Sequence, residues 1–200
     1  MTLPKLTNIL QIISENLMQR NIPFALIGAM ALSLYGFPRY TSDLDILTDG
    51  DWRAEVVRIM EKLGYICYQQ TDSFAQFDSE LGVLGCIDFM FVNTEDGKNI
   101  LKRRIIVKDE LFQDIQIIQP TDYIILKLMS IANAPDRNLK DDADISALLK
   151  LYKNDLIPEY FEPLNRDRIY SFADRFRQRE RIEKHFKAIF ETSDRELFSL

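Results

Sequence analysis

The sequence predicts an α/β (α+β) protein, with a mixed sheet flanked by helices over residues 1–118 and a helical C-terminal region over 119–200 packed on it. Three observations predict this. Short apolar or alternating runs interleave with segments of helical periodicity up to about residue 118. From Pro120 and Thr121 onward the periodicity is helical alone. No repeat, low-complexity tract or flexible linker separates the two parts, so direct packing is expected.

The elements follow in order. Leu6, Ile9, Leu10, Ile13 and Leu17 recur at helical spacing, and the pattern stops before Pro23, giving an amphipathic helix near 4–20. Phe24 to Ile27 reads as a buried strand. Gly28 then opens a short helix of small and apolar residues that ends near Gly36. Leu44 to Leu47 form the next strand, and Val56, Ile59, Met60 and Leu63 mark a helix stopped by Gly64. Tyr65–Tyr68, Phe74–Phe77 and Cys86–Val92 read as strands, the first two parted by a polar turn at Asp72 and Ser73. One or two further strands fit between about 104 and 118.

Composition excludes several function classes. With 200 residues, 46% hydrophobic and 28% charged, the chain is long enough for one main core and a helical extension. The apolar run Ile124–Met129 is interrupted by Lys127 and falls far short of the ~20 residues that span a bilayer. The N-terminus lacks a basic stretch, an apolar block and a cleavage site, so cytoplasmic residence is expected. Cys67 and Cys86 read as reduced core residues. A single histidine, His185, gives neither a zinc site nor a histidine relay enough partners. Catalysis therefore falls to carboxylates and lysines. The net charge of −6 disfavours broad polyanion binding, so an RNA substrate needs a local basic surface.

Asp43 and Asp45 are two apart on a strand, so both carboxylates point to one face while Leu44 and Ile46 point to the other. Paired carboxylates repel unless a cation lies between them, and hard oxygen ligands suit magnesium on substrate phosphates. Asp88 interrupts an apolar strand and supplies a third oxygen, since a lone buried charge costs several kcal/mol. Three carboxylates fit two magnesium ions, with Asp88 also placed to accept a hydroxyl proton. Gly28, between a strand and a helix, lets backbone N–H groups approach a triphosphate; its alternative role is tight packing.

These blocks resemble the nucleotidyltransferase superfamily related to DNA polymerase beta: a glycine pair, a short helix, two aspartates one residue apart, and a later single aspartate. The wording around Gly36, Arg39, Thr41, Ser42 and Asp43 is most similar to the branch of abortive-infection toxins of type IV toxin–antitoxin systems. That branch adds a lysine in an apolar helix, matched by Lys127, and a basic-Asp-x-x-Asp helix start, matched by Lys140, Asp141 and Asp144, with Arg137 near its expected place. The resemblance implies a nucleotidyltransferase-type sheet and transfer of a nucleoside monophosphate from a nucleoside triphosphate to a hydroxyl. It implies catalytic roles for Asp43, Asp45, Asp88, Lys127 and Asp141, and nucleotide binding by Gly28, Ala29, Arg39, Thr41, Ser42 and Asp144. The family has glycine or serine where this chain has Ala29, which retains the backbone N–H and lacks the hydroxyl. The implied acceptor is tRNA, with an antitoxin protein as partner; a small aminoglycoside-like acceptor and an inactive nucleotide-binding scaffold are the alternatives.

Three sets of residues keep two readings each. Lys127, on a helix apolar nearly all round, either snorkels or reaches phosphates or the acidic cluster. Methionine there would keep the stem and is expected to preserve stability. Asp141 and Asp144 are either acids favoured by the helix dipole or residues that orient the lysine. The stretch Arg166–Lys187 is either a solvated helical face or an RNA surface, on which Arg175 and Arg179, and Arg177 and Arg181, are expected to share faces at four-residue spacing.

Overall fold

The computed structural model describes residues 4–79, 85–109, 113–134 and 138–191. Seven strands form one mixed sheet in the order β3-β4-β5-β2-β1-β7-β6: β1 (Phe24–Leu26), β2 (Asp43–Asp49), β3 (Tyr65–Gln70), β4 (Phe74–Ser79), β5 (Cys86–Val92), β6 (Ile105–Asp109) and β7 (Gln113–Ile117). The helices are α1 (Pro4–Gln19), α2 (Gly28–Leu34), α3 (Arg53–Lys62), α4 (Glu95–Lys102), α5 (Pro120–Asn133), α6 (Asn138–Lys153), α7 (Arg166–Arg175) and α8 (Arg179–Phe186). Arg137 lies outside the described residues. Among the described residues, no helix is long and apolar enough to cross a membrane.

The chain divides into two compact units. One holds residues 1–31 and 39–118, the other 32–38 and 119–200. In the first, β2 pairs in parallel with β5 and antiparallel with β1, while β3, β4 and β5 form an antiparallel meander. Period-2 alternation places Leu44, Ile46, Phe77, Ile87 and Phe89 on a face that is completely buried. Each such side chain contributes roughly 1.5–3 kcal/mol relative to exposure. Helices α1 and α4 pack on β2, and α3 packs on β3. The apolar stripe of α1 is buried as its periodicity requires, from Ile9 to Leu17. The other face carries Asp43, Asp45, Cys86 and Asp88, all half-buried.

Helix α4 is an addition to the sequence reading. Thr94 caps it by accepting from Gly97 N at 3.2 Å, and Glu95 and Asp96 occupy its first turn.

In the helical unit, α5 packs on α6 and α7, and α6 also meets α8. Residues 32–38 belong here because Tyr35, fully buried, makes edge-to-face contacts with Tyr123 at 5.5 Å and Phe161 at 4.9 Å. The start of α5 is tied down by polar contacts: Gln119 Oε1 accepts from Glu162 N, Thr121 Oγ1 accepts from Asn165 N, and buried Asp122 pairs with Arg168 at 2.8 Å. A buried carboxylate paired in this way avoids the cost of an isolated charge.

Candidate active site

Strand register assembles the acidic face. Asp45 lies directly opposite Asp88 across the parallel β2–β5 pair, and Gln76 of β4 lies opposite Asp88 on its other side. One row along, Asp43 lies opposite Cys86. Asp78, two residues from Gln76, shares its face. Asp43, Asp45 and Asp88 therefore sit on one face of two adjacent strands. Their oxygens are already engaged: Ser42 Oγ donates to Asp43 Oδ1 at 2.8 Å, and Gln76 Nε2 donates to both oxygens of Asp88 at 3.1 Å.

Among the described residues, no group of three or more His, Cys, Asp or Glu side chains is spaced to hold a metal ion. Like charges favour carboxylates turned toward neighbouring donors rather than toward one another. The donor set itself, hard carboxylate oxygens on adjacent strands, fits magnesium rather than a softer metal.

Gly28 lies against the Asp45 carboxylate of this face. Its φ is +66°, and a Cβ built there would overlap the Asp45 carboxylate, with Cγ at 2.6 Å. Glycine is thus required both by the left-handed backbone and by the close approach of the acid. Ala29 follows in the first turn of α2 and is half-buried. Thr41 forms a local turn at the entry to β2, its hydroxyl donating to Asp43 O at 3.1 Å and accepting from Asp43 N at 3.2 Å. Ser42 is exposed and Arg39 half-buried.

Three residues of this face escaped the sequence reading. Gln76 and Asp78 alternate with buried Ala75 and Phe77, a period-2 signal visible in the string FAQFDS. Tyr68 is 56% exposed; burial raises its phenol pKa first, and the charges of Asp88, Asp78 and Asp43 add to the shift. Cys86 departs from the expected core role: its thiol is free and half-buried on the acidic face. Burial and then the carboxylates of Asp78, Asp43 and Asp88 raise its pKa, which keeps it protonated and unreactive. Cys67 is likewise free and half-buried.

The helical unit holds the second group of predicted residues. Lys127 Nζ lies 2.7 Å from Asp141 Oδ1 and 2.7 Å from Asp144 Oδ2. The two carboxylates are 1% and 5% exposed and the lysine 13%. The ammonium also sits 5.4 Å from the Tyr123 ring centroid, and Tyr123 Oη donates to Asp144 Oδ2 at 3.4 Å. Among the described residues, buried Asp141 Oδ2 has no hydrogen-bond partner.

The basic stretch at 166–187 is not one helix. Helix α7 ends at Arg175, Arg177 takes a φ of +57°, and α8 begins at Arg179. The break removes the expected four-residue pairing of Arg175 with Arg179 and of Arg177 with Arg181. Arg168 pairs with Asp122, Arg179 with Asp174 and Glu183, and Arg181 with Asp142. Arg166 stacks on Phe186 and Phe190 at 4.7 and 4.6 Å, and Arg175 on Phe172 at 5.0 Å.

The architecture is the nucleotidyltransferase fold. Solved structures similar to the chain include the antibiotic-resistance factor ANT(2'')-Ia, at 13% identity and a TM-score of 0.60 over 91% of this chain and 96% of that one. An antigenic nucleotidyltransferase-like protein from Paracoccidioides brasiliensis matches at 14% identity and a TM-score of 0.55 over 96% and 99% of the two chains. The lincomycin-bound lincosamide antibiotic adenylyltransferase LnuA matches at 18% identity and a TM-score of 0.52 over 74% and 96%. No family model matches the sequence. No curated protein matches it either.

Proposed function

We propose that the protein transfers a nucleoside monophosphate from a nucleoside triphosphate to a hydroxyl acceptor on the face formed by Asp43, Asp45 and Asp88. The observation that carries this reading is the register: Asp45 opposite Asp88, with Asp43 on the same face and Gly28 backed against Asp45. In this reading the three aspartates hold magnesium, two ions when fully loaded, which would neutralise charge on the triphosphate. The acceptor oxygen forms a bond to the α-phosphorus, the bond from that phosphorus to the β-phosphate oxygen breaks, and pyrophosphate leaves. Asp88, its carboxylate plane fixed by Gln76, takes the hydroxyl proton. Gly28 and Ala29 offer backbone to the phosphates, and Arg39, Thr41 and Ser42 border the nucleotide. Lys127, Asp141 and Asp144 form a charged centre within the helical unit, for which this reading keeps catalytic roles for Lys127 and Asp141 and nucleotide binding for Asp144.

The acceptor is tRNA, with an antitoxin partner, or a small aminoglycoside-like molecule. The acidic face supports the small cationic acceptor. A polyanion would meet Asp43, Asp78 and Asp88, while Arg168 and Arg179 are committed to intramolecular pairs. The similarity to structures of aminoglycoside- and lincosamide-modifying proteins is consistent with this choice.

Incubation with each labelled triphosphate, magnesium, and either total RNA or an aminoglycoside panel tests the proposal. Labelled product is expected, and Asp45→Asn should abolish it while circular dichroism stays unchanged. Transfer that survives in Asp45→Asn excludes this site. Triphosphate binding without any labelled product would instead indicate an inactive scaffold.

A further inference from the structure

A groove of about 570 Å³ lies in the helical unit between α6 and α8. The size is typical of small-molecule sites. We propose that it binds a small molecule through a terminal phosphate monoester, held by Arg177, Arg181 and Lys184. This assignment is independent of the nucleotidyl transfer proposed above.

The junction between α7 and α8 supplies the first reason. Gln178 N donates to Ala173 O at 2.8 Å and Arg177 N to Asp174 O at 3.2 Å, the paired bonds of a Schellman ending. Glycine is the residue that such a position favours, because the left-handed backbone crowds a Cβ. Here it is Arg177, and its guanidinium has no side-chain partner among the described residues, so local strain is accepted at a residue that projects an uncommitted cation at the groove.

Arg181 supplies the second reason. Its Nε donates to Gln178 Oε1 at 3.0 Å and its Nη1 to Asp142 Oδ2, which leaves Nη2 without a partner among the described residues. The fork is therefore held rigid with donors to spare. Asp142 is fixed in turn by His185 Nε2 at 2.9 Å, and His185 Nδ1 meets Ser146 Oγ at 3.0 Å. This network forms a preset wall.

Charge and shape select the ligand class. Lys184, also on the groove, is uncommitted among the described residues. Asp142 is compensated by Arg181 and hydrogen-bonded to His185, so Glu180 is the carboxylate on the groove left to oppose Arg177 and Lys184. Helix α8 starts with no side-chain cap, since Gln178 has turned its oxygen to Arg181. Two free cations and a spare guanidinium edge suit a dianion better than a monoanion. Ala188 and Ile189 add an apolar wall, which suits an organic group attached to the phosphate.

The test titrates the full chain with phenyl phosphate, phenyl sulfate and a short RNA oligonucleotide by calorimetry. Phenyl phosphate should bind at one site, and at least about tenfold tighter than the singly charged sulfate. The double variant Arg177→Asn/Lys184→Gln changes two exposed side chains, keeps a residue tolerant of positive φ, and should unfold at the wild-type temperature. Its phenyl phosphate affinity should fall at least about tenfold. Absence of binding at millimolar probe, equal affinity for phosphate and sulfate, or unchanged affinity in the double variant would each overturn the assignment. Preferential loss of RNA binding in that variant would overturn it in favour of a phosphodiester site.

Discussion

Lys127→Met is the most discriminating perturbation of the helical unit. It removes the ammonium that Asp141 and Asp144 each contact at 2.7 Å and leaves carboxylates that are 1% and 5% exposed. The methionine stem fills nearly the same space, so packing loss is minor. Removing one partner of a buried ion pair costs roughly 3–5 kcal/mol. Asp141 has little reserve, because its Oδ2 already lacks a hydrogen-bond partner among the described residues. For a chain of this size each kcal/mol lowers Tm by about 2–4 °C, so the midpoint should fall by roughly 6–20 °C. These contacts reverse the expectation, drawn from the sequence, that methionine would preserve stability. Thermal unfolding followed by circular dichroism measures the effect, which added salt should alter little because the pair is shielded from solvent. The combined variant Lys127→Met/Asp141→Asn/Asp144→Asn should recover most of the loss, since it leaves no buried charge. A Lys127→Met midpoint within about 1 °C of wild type would refute the reasoning.

Gly28→Ala should both destabilise the protein by about 1–2 kcal/mol, from the positive φ, and lower nucleotide transfer sharply, because the new methyl displaces the Asp45 carboxylate; urea unfolding alongside a pyrophosphate-release assay separates the two effects. Tyr65→Phe should leave stability unchanged or raise it near neutral pH, since the buried Tyr65 hydroxyl has no hydrogen-bond partner among the described residues. Burial, then Asp78 and Cys86, push the Tyr65 phenol up to about 12 from 10.0. A raised folded-state value favours the protonated native form, so this contribution is complete below pH 10 and lost as pH rises through 12. The stability offset between wild type and Tyr65→Phe should therefore be constant below pH 10, with wild type losing stability relative to the variant as pH rises from 10.0 through about 12.

Much of the acidic site was legible because it rests on local periodicity. Asp43 and Asp45 occupy alternate positions of one strand, so their shared face follows from spacing alone. The pairing of Asp45 with Asp88 does not, because it depends on the register of strands some forty residues apart in the chain. Gln76 and Asp78 carried a readable alternation, yet only the β4–β5 register shows which aspartate Gln76 meets. Helix α4 was missed because its two buried residues, Ile100 and Leu101, are too few to set a period. The break at Arg177 was invisible for a different reason: the string DRFRQRER contains neither glycine nor proline, the residues that usually mark a helix end. The membership of residues 32–38 in the helical unit rests on contacts of Tyr35 with Tyr123 and Phe161, which no local pattern encodes.

The parallel alignment of β2 with β5 also has a kinetic meaning. The acidic face cannot exist until two distant strands have joined, with α3 and the β3–β4 hairpin closed into the intervening loop. Such non-local pairing carries a loop-closure entropy before its contacts form, so it belongs to the slow part of folding. A shift of β5 by two residues would set Asp45 against Cys86 or Met90 and dismantle the pair while leaving the alternation of the face intact. Opposed carboxylates therefore report a non-local alignment that the alternation alone does not guarantee, and a ligand that bridges them would stabilise only chains that have completed it.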